Sequence, residues 1–120
     1  MKILIADDSR VMRQIVIRTL RQAGFDGHEV IEAADGRQAR DAVLAENPDL
    51  VVSDWNMPEM TGIQVLTSLR AAGNSVPFGF VTSECTPEMQ SAAEAAGALF
   101  FIIKPFTPER FKEALSTVLG

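Results

Sequence analysis

Residues 50–62 read "LVVSDWNMPEMTG". Leu50, Val51 and Val52 form a short apolar run, as in a strand covered on both faces, and the run stops on the carboxylate of Asp54. Thr61 then stands as a helix N-cap before the apolar spacing of Ile63, Leu66 and Leu69, which predicts a helix over 62–72. A buried strand, a polar end and a helix form one β-then-α unit. Asp54 sits where that strand leaves the core. A bare charge there is costly unless something pairs with it or uses it.

Outward from this unit the pattern repeats. "KILIA" (2–6) is an apolar run. It precedes "VMRQIVIRTLRQAG" (11–24), where Met12, Ile15, Val16, Thr19, Leu20 and Ala23 recur at helical spacing and Gly24 is suited to a C-cap. "HEVIEAA" (28–34) alternates as a strand, Asp35-Gly36 turns the chain, and a helix from Arg37 to Glu46 stops at Asn47-Pro48. "VPFGFVTS" (76–83) is a fourth strand, followed by Thr86 as N-cap, Pro87 at the first helical position and Glu88 in the first turn. "ALFFII" (98–103) is a fifth, and Thr107-Pro108-Glu109 repeats the same helix start before Phe111, Leu115 and Val118. Five βα units with such apolar strands predict a parallel sheet covered by helices on both faces. Five are too few for an eight-fold barrel. The expected fold class is therefore α/β, a (βα)5 doubly wound open sheet, with its ligand site beyond the carboxyl ends of the strands.

The 120 residues amount to one domain, 1–120, with 47% hydrophobic and 22% charged residues. A formal net charge of -5 argues against direct nucleic-acid or anionic-membrane binding. One cysteine, Cys85, fits a reducing cytoplasm. "MKILIADD" breaks off too early for a signal peptide, and no apolar run approaches the roughly 20 residues of a membrane span.

The strand ends carry the chemistry: Asp7 and Asp8 after the first, Asp54 after the third, Thr82-Ser83 at the fourth, Lys104-Pro105 after the fifth. Strand two, ending in Ala33-Ala34, adds nothing obvious. Three converging carboxylates repel, by roughly 4 kcal/mol per pair about 4 Å apart at an effective dielectric of 20. Lys104 offsets one charge, and a hard divalent cation such as Mg2+ suits the remaining oxygen site. With a phosphoryl donor, Asp54 becomes a carboxylate nucleophile, and Lys104 and the Thr82 hydroxyl stabilise the phosphoryl oxygens. There is no GxxxxGK[ST] loop and no GxGxxG, so the donor is expected to be another protein or a small acyl phosphate.

"ADDSRVMR", "SDWNMPEMTG", "FVTSE" and "IIKPFT", in this order along essentially the whole chain, resemble the receiver domains of two-component response regulators, and most closely their single-domain chemotaxis branch. The resemblance implies a flavodoxin-like fold with strand order 2-1-3-4-5 and phosphoryl transfer from a histidine kinase to Asp54. It also implies Mg2+ held directly by Asp8 and Asp54, through water by Asp7, and by the backbone carbonyl of Asn56. Thr82 becomes the switch hydroxyl, Lys104 the phosphoryl-pairing lysine, and the Lys104-Pro105 bond cis. Phe101 stands where the chemotaxis branch has tyrosine; it can follow the same in-and-out ring movement but offers no hydroxyl. Asn56 and Glu84 lie near the route of the attacking water.

The face made by helix four, strand five and helix five is where partners are expected to read the state, and helix four's apolar stripe is set at Met89, Ala92, Ala93 and Ala96. The chain stops at Gly120, just after helix five, so no output domain is expected. A monomer would act through protein contact, for example with a flagellar motor switch protein, with a phosphatase among its further partners. It would not be an enzyme acting on an external substrate. The competing readings are a dehalogenase-type phosphatase or phosphotransferase, a phosphorelay intermediate without a motor target, and a flavin binder. The first usually has Asp where Asn56 stands. The last needs a Ser/Thr/Gly-rich loop after strand one. His28 is expected to be a solvated strand residue, Trp55 a packed or half-exposed aromatic, and Cys85 inert.

Overall fold

The computed structural model describes the backbone of residues 1–119 and the side chains of all of these except Thr117 and Leu119. The expectation attached to the chain's end at Gly120 lies outside the described residues. Five strands alternate with five helices: β1 (Lys2–Ala6), α1 (Arg10–Gln22), β2 (Glu29–Ala33), α2 (Gly36–Glu46), β3 (Leu50–Ser53), α3 (Gly62–Ala71), β4 (Phe78–Thr82), α4 (Pro87–Ala95), β5 (Phe101–Ile103) and α5 (Pro108–Leu119). The strands form one parallel sheet in the order β2-β1-β3-β4-β5. This is the doubly wound, flavodoxin-like arrangement expected from the sequence.

The pleat divides the core. Ile3, Ile5, Leu50, Val52 and Ile102 point to one face and bury against Val16, Ile17 and Leu20 of α1 and Phe111 and Leu115 of α5. Leu4, Val51, Phe78 and Phe80 point to the other, against Val43 of α2 and Val65, Leu66 and Leu69 of α3. A large aliphatic or aromatic side chain buried in this way contributes about 1.5–3 kcal/mol, which explains why the central strands tolerate almost no polar residue. No helix among the described residues is long and apolar enough to cross a membrane.

Register sets up the functional end. Ala6 of β1 is level with Ser53 of β3, and Thr82 of β4 with Ile103 of β5. Asp7 and Asp54 are therefore the first residues past two neighbouring strands. The ladder runs one step further to hold them: the Asp54 N–H donates to the Ala6 carbonyl at 2.8 Å and the Asp7 N–H to the Ala33 carbonyl at 3.1 Å.

Three local expectations need correction. In α1 the expected Val16, Thr19, Leu20 and Ala23 are buried, but Ile17 is buried in place of Ile15, which is 38% exposed. The fifth strand is regular only from Phe101: Gly97 at φ +91° and the Ala98 N–H bond to the Ala93 carbonyl take the chain out of α4, and Leu99 and Phe100 bond to β4 ahead of the regular ladder. On α4, of the four residues expected to face the core, only Ala93 is fully buried; Met89 and Ala96 are partly covered and Ala92 is exposed. Ala93 is the one fully buried side chain seating this helix, with Ala96 packed partly against the same core, and a cavity of about 150 Å3 lies between α4 and β5, lined in part by Gln90, Ala93, Phe100 and Phe101.

Helix α3 begins with a full capping box. Thr61 Oγ1 accepts from the Gln64 N–H at 3.3 Å, and Gln64 Oε1 accepts from the Thr61 N–H at 2.9 Å. Thr61→Ala is expected to cost about 1 kcal/mol, seen as a lower urea midpoint with an unchanged slope.

Candidate functional site

Asp7, Asp8 and Asp54 come together at the carboxyl ends of β1 and β3, each offering an oxygen within 4.8 Å of the others. Asp7 is buried and its polar groups are all engaged: Oδ1 accepts from the Ser9 N–H at 2.9 Å, and Oδ2 faces Lys104 Nζ at 3.2 Å. Ser9 is also the N-cap of α1, so the start of that helix and the aim of Asp7 depend on the same turn. Asp8 is exposed and its carboxylate has no hydrogen bond or ion pair among the described residues. Asp54 is half-buried; Oδ1 accepts from the Trp55 N–H at 2.7 Å and Oδ2 lies 3.6 Å from Lys104 Nζ.

Lys104 reaches the site from the end of β5, where its N–H donates to the Thr82 carbonyl at 2.8 Å and the bond to Pro105 is cis. Its ammonium is closer to Asp7 than to Asp54. Thr82 is completely buried, and its hydroxyl accepts from the Glu84 N–H at 3.4 Å. Asn56 and Glu84, from opposite loops, are joined by an Asn56 Nδ2 to Glu84 Oε1 hydrogen bond of 3.2 Å. Phe101 is half-buried; its ring centroid lies 6.1 Å from both Trp55 and Phe80, and Trp55 and Phe80 are 4.9 Å apart. Every sequence-predicted site residue thus lies at the same end of the sheet. His28 stands half-buried just before β2, and Cys85 is exposed beside Gln90.

Burial is the main reason the Asp54 carboxyl titrates above its ordinary value. Lys104 pulls it down, Asp7 pushes it up, the Trp55 N–H pulls it down and Asp8 adds a further push. Three carboxylates against one ammonium leave two negative charges uncompensated. The donors are all hard oxygens with an open side at Asp8, which is the set a small divalent cation such as Mg2+ selects.

Two contacts were not foreseen. Arg13 Nη1 donates to the Asp7 carbonyl at 2.8 Å, while Arg13 Nε pairs with Glu32 Oε1 at 2.8 Å. Strand β2 therefore does support the site. A signal was present: an arginine in the first turn opposes the helix dipole and calls for a local acceptor.

The model of the response regulator receiver domain matches residues 3–116. The chain belongs to the receiver domain family of response regulators. Members of this family are signalling switches, and two relatives matched over the full length of this chain are chemotaxis proteins. It is 41% identical over 124 aligned positions to the chemotaxis protein CheY homolog of Campylobacter jejuni, covering 100% of this chain and 93% of that protein. It is 37% identical over 123 positions to the chemotaxis protein CheY1 of Helicobacter pylori, covering 100% and 98%. Among solved structures, chemotaxis protein CheY4 of Vibrio cholerae superimposes with a TM-score of 0.84 at 38% identity, covering 98% of this receiver and 97% of that chain.

Proposed function

We propose that this receiver is a phospho-accepting switch of chemotaxis-type signalling in the cytoplasm. Asp54 takes a phosphoryl group from a histidine kinase: a carboxylate oxygen bonds to phosphorus as the bond from phosphorus to the kinase imidazole breaks. The observation that carries this reading is the convergence of Asp7, Asp8, Asp54 and Lys104 on one point past the sheet. Asp7, Asp8, Asp54 and the Asn56 carbonyl would hold Mg2+, which supplies charge neutralisation for the transferred group. Asp54 meanwhile keeps its orientation through the Trp55 N–H. Lys104, already shared between two carboxylates, is free to turn toward a phosphoryl oxygen.

Output follows from the new charge of about -1.5 to -2. Thr82 turns its hydroxyl inward, and Phe101 moves into the space released. The aromatic contacts from Trp55 through Phe80 to Phe101 give that movement a packed route. The sparse seating of α4 lets the face of α4, β5 and α5 change at low cost. The readers of that face would be a flagellar motor switch protein or a comparable signalling protein, with a phosphatase resetting the state.

The test follows Trp55 fluorescence while Mg2+ and then beryllofluoride or a small acyl phosphate are added, alongside intact mass. Each addition is expected to change the signal, and the acyl phosphate to add one phosphoryl group. A flat signal with no added mass would sink the proposal. Lys104→Ala is expected to accept phosphate yet fail to show the phosphate-dependent change in pull-down partners. Many turnovers of a phosphate ester per protein would favour the phosphatase reading instead.

A further inference from the structure

Asp8 raises a problem of aim. It is a candidate direct ligand, yet its side chain is exposed and no neighbour among the described residues holds it. Its direction depends on the peptide that joins it to Asp7. The oxygen of that peptide is the Asp7 carbonyl, and Arg13 Nη1 donates to it at 2.8 Å. The other end of the same guanidinium, Nε, is anchored on Glu32 Oε1 at 2.8 Å, with Gln14 Nε2 donating to that oxygen at 3.3 Å. The Arg13 side chain is 13% exposed, so the fork is held rather than loose in solvent. The Asp7 N–H is also tied to β2, through the Ala33 carbonyl. Both main-chain polar groups of Asp7 are thus fastened to the edge strand, one directly and one through Arg13 and Glu32.

We infer that Arg13 and Glu32 are a positioning pair for the divalent-cation site: the guanidinium bridges the Asp7 carbonyl and the Glu32 carboxylate, and so fixes the turn that aims Asp8. This rests on the Mg2+ reading above. It extends the site to a strand and a helix that place no candidate ligand in it. Arginine suits the task because two separate nitrogens of a rigid plane meet two acceptors at once, which the single nitrogen of lysine cannot reproduce.

Geometry and simple charge make opposite forecasts for Arg13. Removing a cation close to three carboxylates raises the local negative field and by Coulomb's law alone tightens Mg2+ binding. Releasing the Asp7 carbonyl lets Asp8 swing and weakens it. Glu32→Gln weakens binding on either account, so Arg13 decides.

The experiment titrates Mg2+ alone into the full chain, followed by Trp55 fluorescence and by calorimetry, for wild type, Arg13→Met, Arg13→Lys, Glu32→Gln and the double variant Arg13→Lys/Glu32→Gln. Outer-sphere partners of a metal site are commonly worth 10- to 100-fold in affinity. Each single variant is expected to raise the Mg2+ dissociation constant by about tenfold, and the double variant to be little worse than either single, because both break one bridge. Circular dichroism confirms that each variant is folded. Should Arg13→Met not fold, Arg13→Lys, which keeps the charge and most of the volume, carries the same test. A dissociation constant for Arg13→Lys within twofold of wild type, or a tighter one for Arg13→Met, overturns the pair. A wild type that gives neither heat nor a fluorescence change with Mg2+ removes the metal reading as well, which tells the two failures apart.

Discussion

Asp54→Asn is expected to abolish stable phosphoryl incorporation and, in a chelator, to melt at a higher temperature than wild type. The chemical half follows because the amide has no anionic oxygen to attack phosphorus. The stability half follows from the charges around Asp54. Its repulsion from buried Asp7, with oxygens within 4.8 Å, amounts to about 3.5 kcal/mol at an effective dielectric of 20, and exposed Asp8 adds a smaller, solvent-screened push. Attraction to Lys104 at 3.6 Å returns about 4–5 kcal/mol at the same dielectric. Burial, the main cause of the raised Asp54 pKa, adds its own penalty for the charged form. A net gain of about 1–2 kcal/mol remains for the neutral side chain, or a midpoint shift of about 5 °C in a domain of this size.

The sign with pH is fixed by the direction of the shift. Asp54 holds its proton more firmly in the folded chain than in the unfolded one, where the value is near 3.8. Its favourable contribution is therefore complete below that value and is lost as pH rises through the raised native pKa. The advantage of Asp54→Asn should grow over that window and level off above it. Mg2+ should reverse the order: a ligand at 100 times its dissociation constant stabilises by about 2.7 kcal/mol, and the wild type has the better site. Melting curves with chelator and with Mg2+, at several pH values, check all three statements. A variant less stable than wild type in chelator at neutral pH would contradict them.

Gly62→Ala is expected to destabilise the fold by about 2–3 kcal/mol and to slow phosphorylation as well. A Cβ at this position would collide with the Asp54 carbonyl and come within 2.8 Å of the Phe80 ring. The Gly62 N–H also donates to the Trp55 carbonyl at 2.7 Å, so the first turn of α3 is pressed against the segment that carries Asp54. Neither backbone can yield without moving Asp54. Gly73→Ala is the matched control: its φ of +80° makes alanine strained there, but nothing lies within 4 Å of the added methyl. It should lose about 1 kcal/mol and phosphorylate normally. Equal losses of stability and equal phosphorylation rates in the two variants would show that the contact with Asp54 does not matter.

Much of this was legible in the chain because the central strands are buried on both sides. Leu50, Val51 and Val52 leave room only for the small buried Ser53, so the first carboxylate after them marks the strand's end, and the same holds for Asp7; Lys104 closes the shorter, edge strand β5. The α1 stripe was less legible. Ile15, Val16 and Ile17 are consecutive, and spacing alone permits either isoleucine inside; the packing against the sheet buries Ile17. The extent of β5 was hidden because Leu99 and Phe100 are as apolar as any strand residue and already bond to β4, through the Leu99 N–H to the Phe78 carbonyl and the Phe80 N–H to the Phe100 carbonyl, while the regular strand starts only at Phe101. Arg13 and Glu32 escaped notice because they are 19 positions apart, and only the β1–β2 register brings them together. Asn56 and Glu84, 28 apart, meet for a similar reason: two loops converge over one crevice.

Helix α4 rests on the sheet chiefly through Ala93, with Ala96 partly packed beside it, while Glu88, Gln90, Ser91, Ala92, Glu94 and Ala95 face outward. Those outward positions carry almost no duty in the core, so substitutions among them cost the fold little. The acceptor site, in contrast, is surrounded by residues that cannot change without disturbing Asp54. If partners read the α4 face, as proposed, a change of listening protein would require a change in one helix surface only, while the residues around Asp54 stay as they are.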